Sequence, residues 1–305
     1  MIKSINTFIS RRHIIGVFAA FFVLSSSVLQ AQKTSLLWEV KKKGEKEVSF
    51  LYGTMHSPDP SLFENKDVIF EYLESCDVYR GELDFNEEQD QMALAGLMMA
   101  SEPLSSYYSE EDYALVEEYL NAELGEMAPM LKMLKPFWIM ATIVQLEEKL
   151  IETEGTNAAF DQSEVIDVQL QKHAEEKKVE VKALETMKEQ MEAINAISLE
   201  EQASMLLEMV KQPEEANDMS AELKEAYLIK DLNAMFEIYS DEQFSSAVET
   251  VLIDVRNERM AERMIASMEE GKAVFCAVGA LHLPGETGVL ERLKTAGYKV
   301  KPVKY

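Results

Sequence analysis

Two distant segments of this chain share one form, Gly53-Thr54-Met55-His56 and Gly279-Ala280-Leu281-His282, and each directly follows an apolar run of strand length. The runs are Val48 to Tyr52 and Ala273 to Val278, and 226 positions separate His56 from His282. Two of the four histidines are placed this way. A strand that ends in Gly-x-x-His delivers an imidazole to the carboxyl edge of a sheet, where α/β proteins build their sites. Two such strands, one from each end of the sequence, predict a chain that closes on itself and brings both histidines to one place.

The flanks repeat as well. Leu36 to Val40 and Val48 to Tyr52, joined by the turn-like Lys43-Gly44-Glu45-Lys46, read as a hairpin. After His56, Ser57-Pro58-Asp59-Pro60 forbids an immediate helix; a helix is expected from Ser61 to Ser75 and a third strand from Asp77 to Leu83. Near the other end, Ala273 to Val278 reads as a strand, Gly285 to Ala296 as a helix and Gly297 to Val303 as a closing strand. The predicted fold class is therefore α/β (α+β), a single mixed sheet with strands from both ends and a duplicated strand, Gly-x-x-His, helix, strand unit. Between the units, 86–271 reads as a large helical insertion almost throughout. Its helices are expected from Ser109, from Pro136 to Ile151, and over Glu164–Lys178, Glu185–Ile197, Ser198–Lys211, Ala221–Ile229 and Glu242–Met268. Most of the 18 methionines fall in it, and core filling is expected of them ahead of groove lining.

Residues 1–31 form a separate object. Lys3, Arg11 and Arg12 make a basic start, Ile14 to Leu24 is apolar, and Ser25-Ser26-Ser27 leads to Ala31 before Gln32, the pattern of a secretory signal peptide. The apolar stretch is short for a bilayer span, so no stable transmembrane helix is expected after cleavage. Leu29, three positions before the cut, is larger than usual and keeps an uncleaved membrane anchor as the alternative. The expected location is periplasmic or secreted, and 32–305 is expected to be one domain. Its formal charge is −28, because the leader removes three of the 30 Lys and Arg and none of the 55 Asp and Glu. Such a surface repels phosphates, so a nucleic-acid partner and polybasic membrane docking are excluded as readings. Cys76 and Cys276 lie in or beside apolar runs and read as two separate buried thiols.

Imidazoles at strand ends suit a transition metal or acid–base work. One Gly-x-x-His alone is as well read as a hydrogen-bonded loop residue; the second copy in a matching context favours a shared site. His173, among Glu175, Glu176 and Lys177, is expected on an exposed helix face.

Beyond these motifs, Leu184-Glu185-Thr186 with Gln190, Arg256-Asn257, and Val278-Gly279-Ala280-Leu281-His282-Leu283-Pro284-Gly285 with Gly288 and Gly297-Tyr298 give the chain a family likeness. It resembles the TraB/GumN family, related to Tiki proteases and erythromycin esterase-like proteins, from about Leu36 to Val303. The resemblance implies a metal-dependent hydrolase, with His56, His282, Glu82 and Glu185 as metal ligands. One glutamate would ligate and the other take a proton from bound water. A mixed imidazole and carboxylate shell suits Mn, Co, Fe or Zn. Arg256 is assigned to a developing oxyanion, or else to pairing with Glu249, Asp254 and Glu258 of its own helix, and Asn257 to orienting substrate. Asp167 stands where the family carries Gly-x-Asp, but Val165 replaces the glycine, and its role stays open.

The leading expectation is thus an exported, peptidase-like metallohydrolase acting on a peptide or protein substrate. A non-catalytic protein that sequesters a peptide or signal molecule in the same cleft is the alternative, and an esterase-like hydrolase the third reading.

Overall fold

A computed structural model describes residues 35–88, 90–153, 162–241 and 246–305. The expected leader lies outside the described residues, and so does the segment 242–245 of the expected long helix. Among the described residues no helix is long and apolar enough to cross a membrane.

Six strands form one mixed sheet: β1 Leu37–Lys42, β2 Ser49–Thr54, β3 Val78–Gly81, β4 Glu180–Ala183, β5 Val274–Gly279 and β6 Tyr298–Pro302, in the order β4-β3-β5-β2-β1-β6. The hairpin β1–β2 is antiparallel, whereas β2, β5, β3 and β4 run parallel. In the first unit the chain passes from β2 over β5 to β3; in the second it passes from β5 over β2 and β1 to β6. The two units are interleaved, and this makes β2 and β5 immediate neighbours, with Thr54 opposite Gly279. Every residue of β2 is buried, as is almost all of β5, which is how central parallel strands covered on both faces read.

Helix α1 is Lys66–Glu74, preceded by a 3₁₀ turn at Pro60–Phe63 because Pro58 and Pro60 delay it. Then follow α2 Gln91–Met98, α3 Glu110–Leu124, the single turn α4 Ala128–Leu131, α5 Pro136–Thr153 and α6 Ile166–Glu176. After β4 come α7 Met187–Asn195, α8 Leu199–Lys211, α9 Pro213–Leu228, α10 Leu232–Asp241, the short α11 Ser246–Glu249, α12 Val255–Glu269 and, past β5, α13 Val289–Thr295. Between the helices expected over Glu164–Lys178 and Glu185–Ile197 lies β4, a strand not among the expected elements, which pairs with β3 and extends the sheet. Its Glu-Val-Lys-Ala composition carries no apolar run, because an edge strand keeps much of its surface in solvent.

Two hydrophobic cores result. The larger packs both sheet faces, joining Leu51, Tyr52 and Phe275 to Ile69 and Leu73 of α1, Ile166 and Leu170 of α6, Met260 and Met264 of α12, and Leu293 of α13. The smaller joins Val116 and Leu120 of α3, Ile139 and Ile143 of α5 and Leu206 of α8. Each fully buried aliphatic side chain contributes about 1.5–3 kcal/mol to folding. The methionines divide: Met191, Met235, Met260, Met264 and Met268 are core, while Met92, Met99, Met127, Met130 and Met133 are exposed. Cys76 and Cys276 are buried and unbridged, and burial pushes the Cys76 thiol up to about 12. His173 is not on an open face. Its ring stacks on Phe70 at 3.8 Å and its Nε2 lies 2.8 Å from Glu74, partners about a hundred residues away that its charged neighbours do not reveal.

Candidate metal and active site

The sheet topology places the candidate residues at the carboxyl ends of four parallel strands. His56 follows β2, His282 follows β5, Glu82 follows β3 and Glu185 follows β4. Glycine is needed in the first motif because a Cβ on Gly53 would lie 3.1 Å from Ala280 Cα, inside the second motif. In the second motif a Cβ on Gly279 would press to 3.3 Å from Glu82 Oε1. The two motifs and the β3 carboxylate are therefore packed against one another.

His282 is 5 % exposed. Asn257 of α12 donates from Nδ2 to the Thr287 carbonyl at 3.1 Å, which turns its Oδ1 toward the ring to accept from His282 Nδ1–H at 2.8 Å. This fixes the tautomer and leaves Nε2 without a proton, 3.9 Å from Glu82 Oε1. Burial pushes the His282 pKa down to about 4, against a partial upward pull from Glu82, so the ring is neutral at pH 7. Asn257 is fully buried, and its side chain orients the imidazole.

Glu82 accepts from the Gly279 N–H at 2.6 Å through Oε1 and from Arg256 Nη2 at 2.7 Å through Oε2. Burial would raise its pKa, but His282, Arg256 and the Gly279 bond together hold it below the usual carboxylate range. Since His282 is neutral above about pH 4, the charge that keeps Glu82 ionised at neutral pH is that of Arg256. Arg256 also donates from Nε to Glu185 Oε2 at 2.8 Å, so it bridges two carboxylates from β3 and β4. Glu185 has no exposed side-chain surface and receives a second arginine, Arg259, at 2.9 Å. The ladder continues with Arg263 on both oxygens of Glu189, at 2.7 and 2.8 Å, and Glu189 in turn completes a capping box with Thr186. Arg256, Arg259 and Arg263 stand on one face of α12, which a wide π-helical turn at Thr250–Asp254 precedes. Arg256 thus pairs across the fold, away from the acids of its own helix.

His56 differs. Its side chain is 65 % exposed, and Nδ1 lies 3.8 Å from Asp167 Oδ2. Asp167, on α6, is buried; Oδ1 accepts from Thr54 Oγ1 at 2.9 Å, while Oδ2 has no hydrogen-bond partner among the described residues. A second clamp comes from α9, where Tyr227 donates to the Gly53 carbonyl at 3.0 Å.

Two imidazole–carboxylate pairs therefore stand on adjacent strand ends, His282 with Glu82 and His56 with Asp167. Their donor chemistry fits a divalent ion: one neutral imidazole with a free Nε2, and one buried carboxylate oxygen left unbonded. Convergence stops short of a closed shell, since among the described residues no three of His, Cys, Asp and Glu are grouped to hold an ion. Glu185 is separated from the histidines by its arginines. The residues that the motifs alone did not reveal are Arg259, Arg263 and the partner of Asp167; the three- and four-residue spacing of the arginines was the available signal.

Comparison with known proteins gives the family. The chain is similar to "Metalloprotease TIKI2" of Xenopus tropicalis, 25 % identical over 89 % of this chain and 60 % of the relative. It is also similar to "Metalloprotease TIKI1" of Danio rerio, 26 % identical over 89 % and 64 %, and of Homo sapiens, 23 % identical over 89 % and 62 %. The chain thus spans about six-tenths of the length of these curated relatives. No solved structure matches it. A model of the TraB/PrgY/gumN family matches residues 36–302, nearly everything from β1 to β6, and the chain belongs to that family.

Proposed function

We propose that the protein is an exported, divalent-metal-dependent hydrolase of peptide bonds, with its site at the carboxyl ends of β2, β3 and β5. The observation that carries this reading is His282: buried, neutral, locked by Asn257 with its unprotonated Nε2 toward Glu82, on the strand beside the one that ends in His56. The relatives named metalloproteases supply the substrate class.

His56 and His282 would supply imidazoles to the ion and Asp167 a carboxylate beside His56, a mixed donor set that suits Mn, Co, Fe or Zn, although the three are not grouped around one point in this structure. Bound there, it would polarise a scissile carbonyl and acidify water. Glu82 remains ionised at neutral pH and is the acceptor for the proton that an attacking water loses. Glu185 serves in neither role; it anchors Arg256, and Arg256 aims Glu82. With its guanidinium held by two carboxylates, Arg256 is a positioning residue rather than an oxyanion donor.

The second reading is a peptide-binding protein without turnover. It is favoured by the incomplete donor cluster and by the arginines that occupy Glu82 and Glu185. Mass spectrometry of candidate peptides incubated with the purified protein separates the two. New fragments that vanish with a chelator and with His56→Ala support the hydrolase; peptide retained intact with or without chelator supports the binder.

A further inference from the structure

Helix α2 is apolar along most of its length and buries none of its residues. Its sequence, Gln-Met-Ala-Leu-Ala-Gly-Leu-Met from Gln91 to Met98, would suit a core, yet Met92 is 87 % exposed. The apolar surface continues past its end. Met99 bridges to Leu134, and the Ala100 N–H donates to the Met133 carbonyl at 2.9 Å, which sets the exposed Met133 beside the end of α2. A cleft of about 370 Å³ opens there, lined by residues 100–104, Tyr113, Lys132 and Met133.

The charge around this face is acidic. Exposed Glu88 and Asp90 precede α2, and exposed Glu102 lines the cleft. The two lysines nearby are engaged, Lys132 by Glu117 at 2.8 Å and Lys135 by Asn195 at 2.7 Å. The face is also tied to the site. α2 packs on α7, whose cap Thr186 directly follows Glu185, and Asn195 at the end of α7 donates to the Leu97 carbonyl at 3.0 Å. Only the segment 83–90 separates Glu82 from α2.

We propose that this methionine-lined face is a docking surface for an apolar segment of the substrate that carries lysine or arginine. The inference rests on the reading of a peptide or protein substrate. Unbranched, polarizable thioethers mould to varied apolar side chains, which suits recognition of a class rather than one sequence. The acidic rim, on a chain of formal charge −25, selects basic flanks and rejects acidic ones.

The test is fluorescence anisotropy of a short fluorescein-labelled peptide of leucine and lysine, titrated with the full protein, with a leucine and glutamate peptide as comparison. The lysine peptide is expected to bind, the glutamate peptide to bind at least about tenfold more weakly, and the Met92→Glu, Met133→Glu double variant to weaken the former about tenfold or more. Both substituted side chains are exposed, and circular dichroism verifies the fold. All titrations are made in the presence of a chelator, which stops metal-dependent cleavage. Binding therefore reads this surface without cleavage, and loss of the hydrolase reading would leave it standing. Equal binding by the double variant overturns the proposal. So does self-association in sedimentation that the double variant abolishes, which would assign the face to a second copy of the chain.

Discussion

His282 and His56 leave neighbouring parallel strands at the same sheet edge, yet the first has 7 % of its side chain exposed and the second 65 %. The difference lies in what reaches over each ring. Over His282, α12 supplies Asn257 to fix the tautomer and Arg256 to keep Glu82 ionised; Thr287 holds Asn257, and Glu185, itself bonded by Arg259, holds Arg256. Beside His56 stands Asp167, which Thr54 ties to the strand end. One backbone device thus yields a buried, hydrogen-bonded imidazole and an exposed one, and the His56 side is where these strand ends meet solvent.

This contrast predicts a graded response to substitution. The largest loss is expected from Arg256→Leu, which leaves the fully buried Glu185 with Arg259 alone and takes the cation from Glu82. Removing one partner of a buried ion pair costs about 3–5 kcal/mol, read by denaturant unfolding. A loss below about 1 kcal/mol would show that the α12 side is not rigidly built.

Acid comes next. In chelator-treated protein, the folded pKa of His282 lies near 4 against an ordinary 6.5, so between these values the unfolded state binds the extra proton. Stability is present in full above pH 6.5 and falls as pH drops toward 4, by about 3 kcal/mol in total. Glu82, also depressed, adds its own loss only as pH falls below the ordinary value of 4.5. His282→Gln should flatten the upper window; an unchanged slope there would contradict burial of a neutral ring.

Asn257→Ala follows, with about 1–3 kcal/mol expected from the buried His282 Nδ1–H left unpaired, while the Thr287 carbonyl keeps its bond from Arg292. The smallest effect is expected at His56: the alanine variant should unfold within about 0.5 kcal/mol of the unaltered protein, as exposed positions do. A loss as large as that of Asn257→Ala would erase the distinction between the two ends.

The sequence carried the sheet well where apolar runs mark strands and poorly where partners are distant. β2 is fully buried and β5 nearly so, and both announce themselves as continuous apolar runs; β4, half exposed at the edge, carries no such run and falls unmarked between two expected helices. The repeated Gly-x-x-His points to convergence, but not to the interleaving that makes β2 and β5 neighbours, because strand order is a property of pairing between distant segments. Glu82 and Arg256 were visible as candidates, whereas their mutual engagement was not: the sequence offered Arg256 three nearer acids on its own helix, and the fold turned it to Glu82 and Glu185. Asn257 was visible as a candidate, whereas its burial against His282 was not, since nothing local signals that contact.

The central claim is that both histidines belong to one divalent-metal site. Elemental analysis of the purified protein beside its His56→Ala and His282→Ala variants tests it most directly, after loading with Mn, Co, Fe or Zn and removal of free ion. The account predicts bound ion in the unaltered protein and its loss in each single variant, with His56→Ala as stable as the parent once both are freed of metal. Retention of the full ion content by either variant would contradict it.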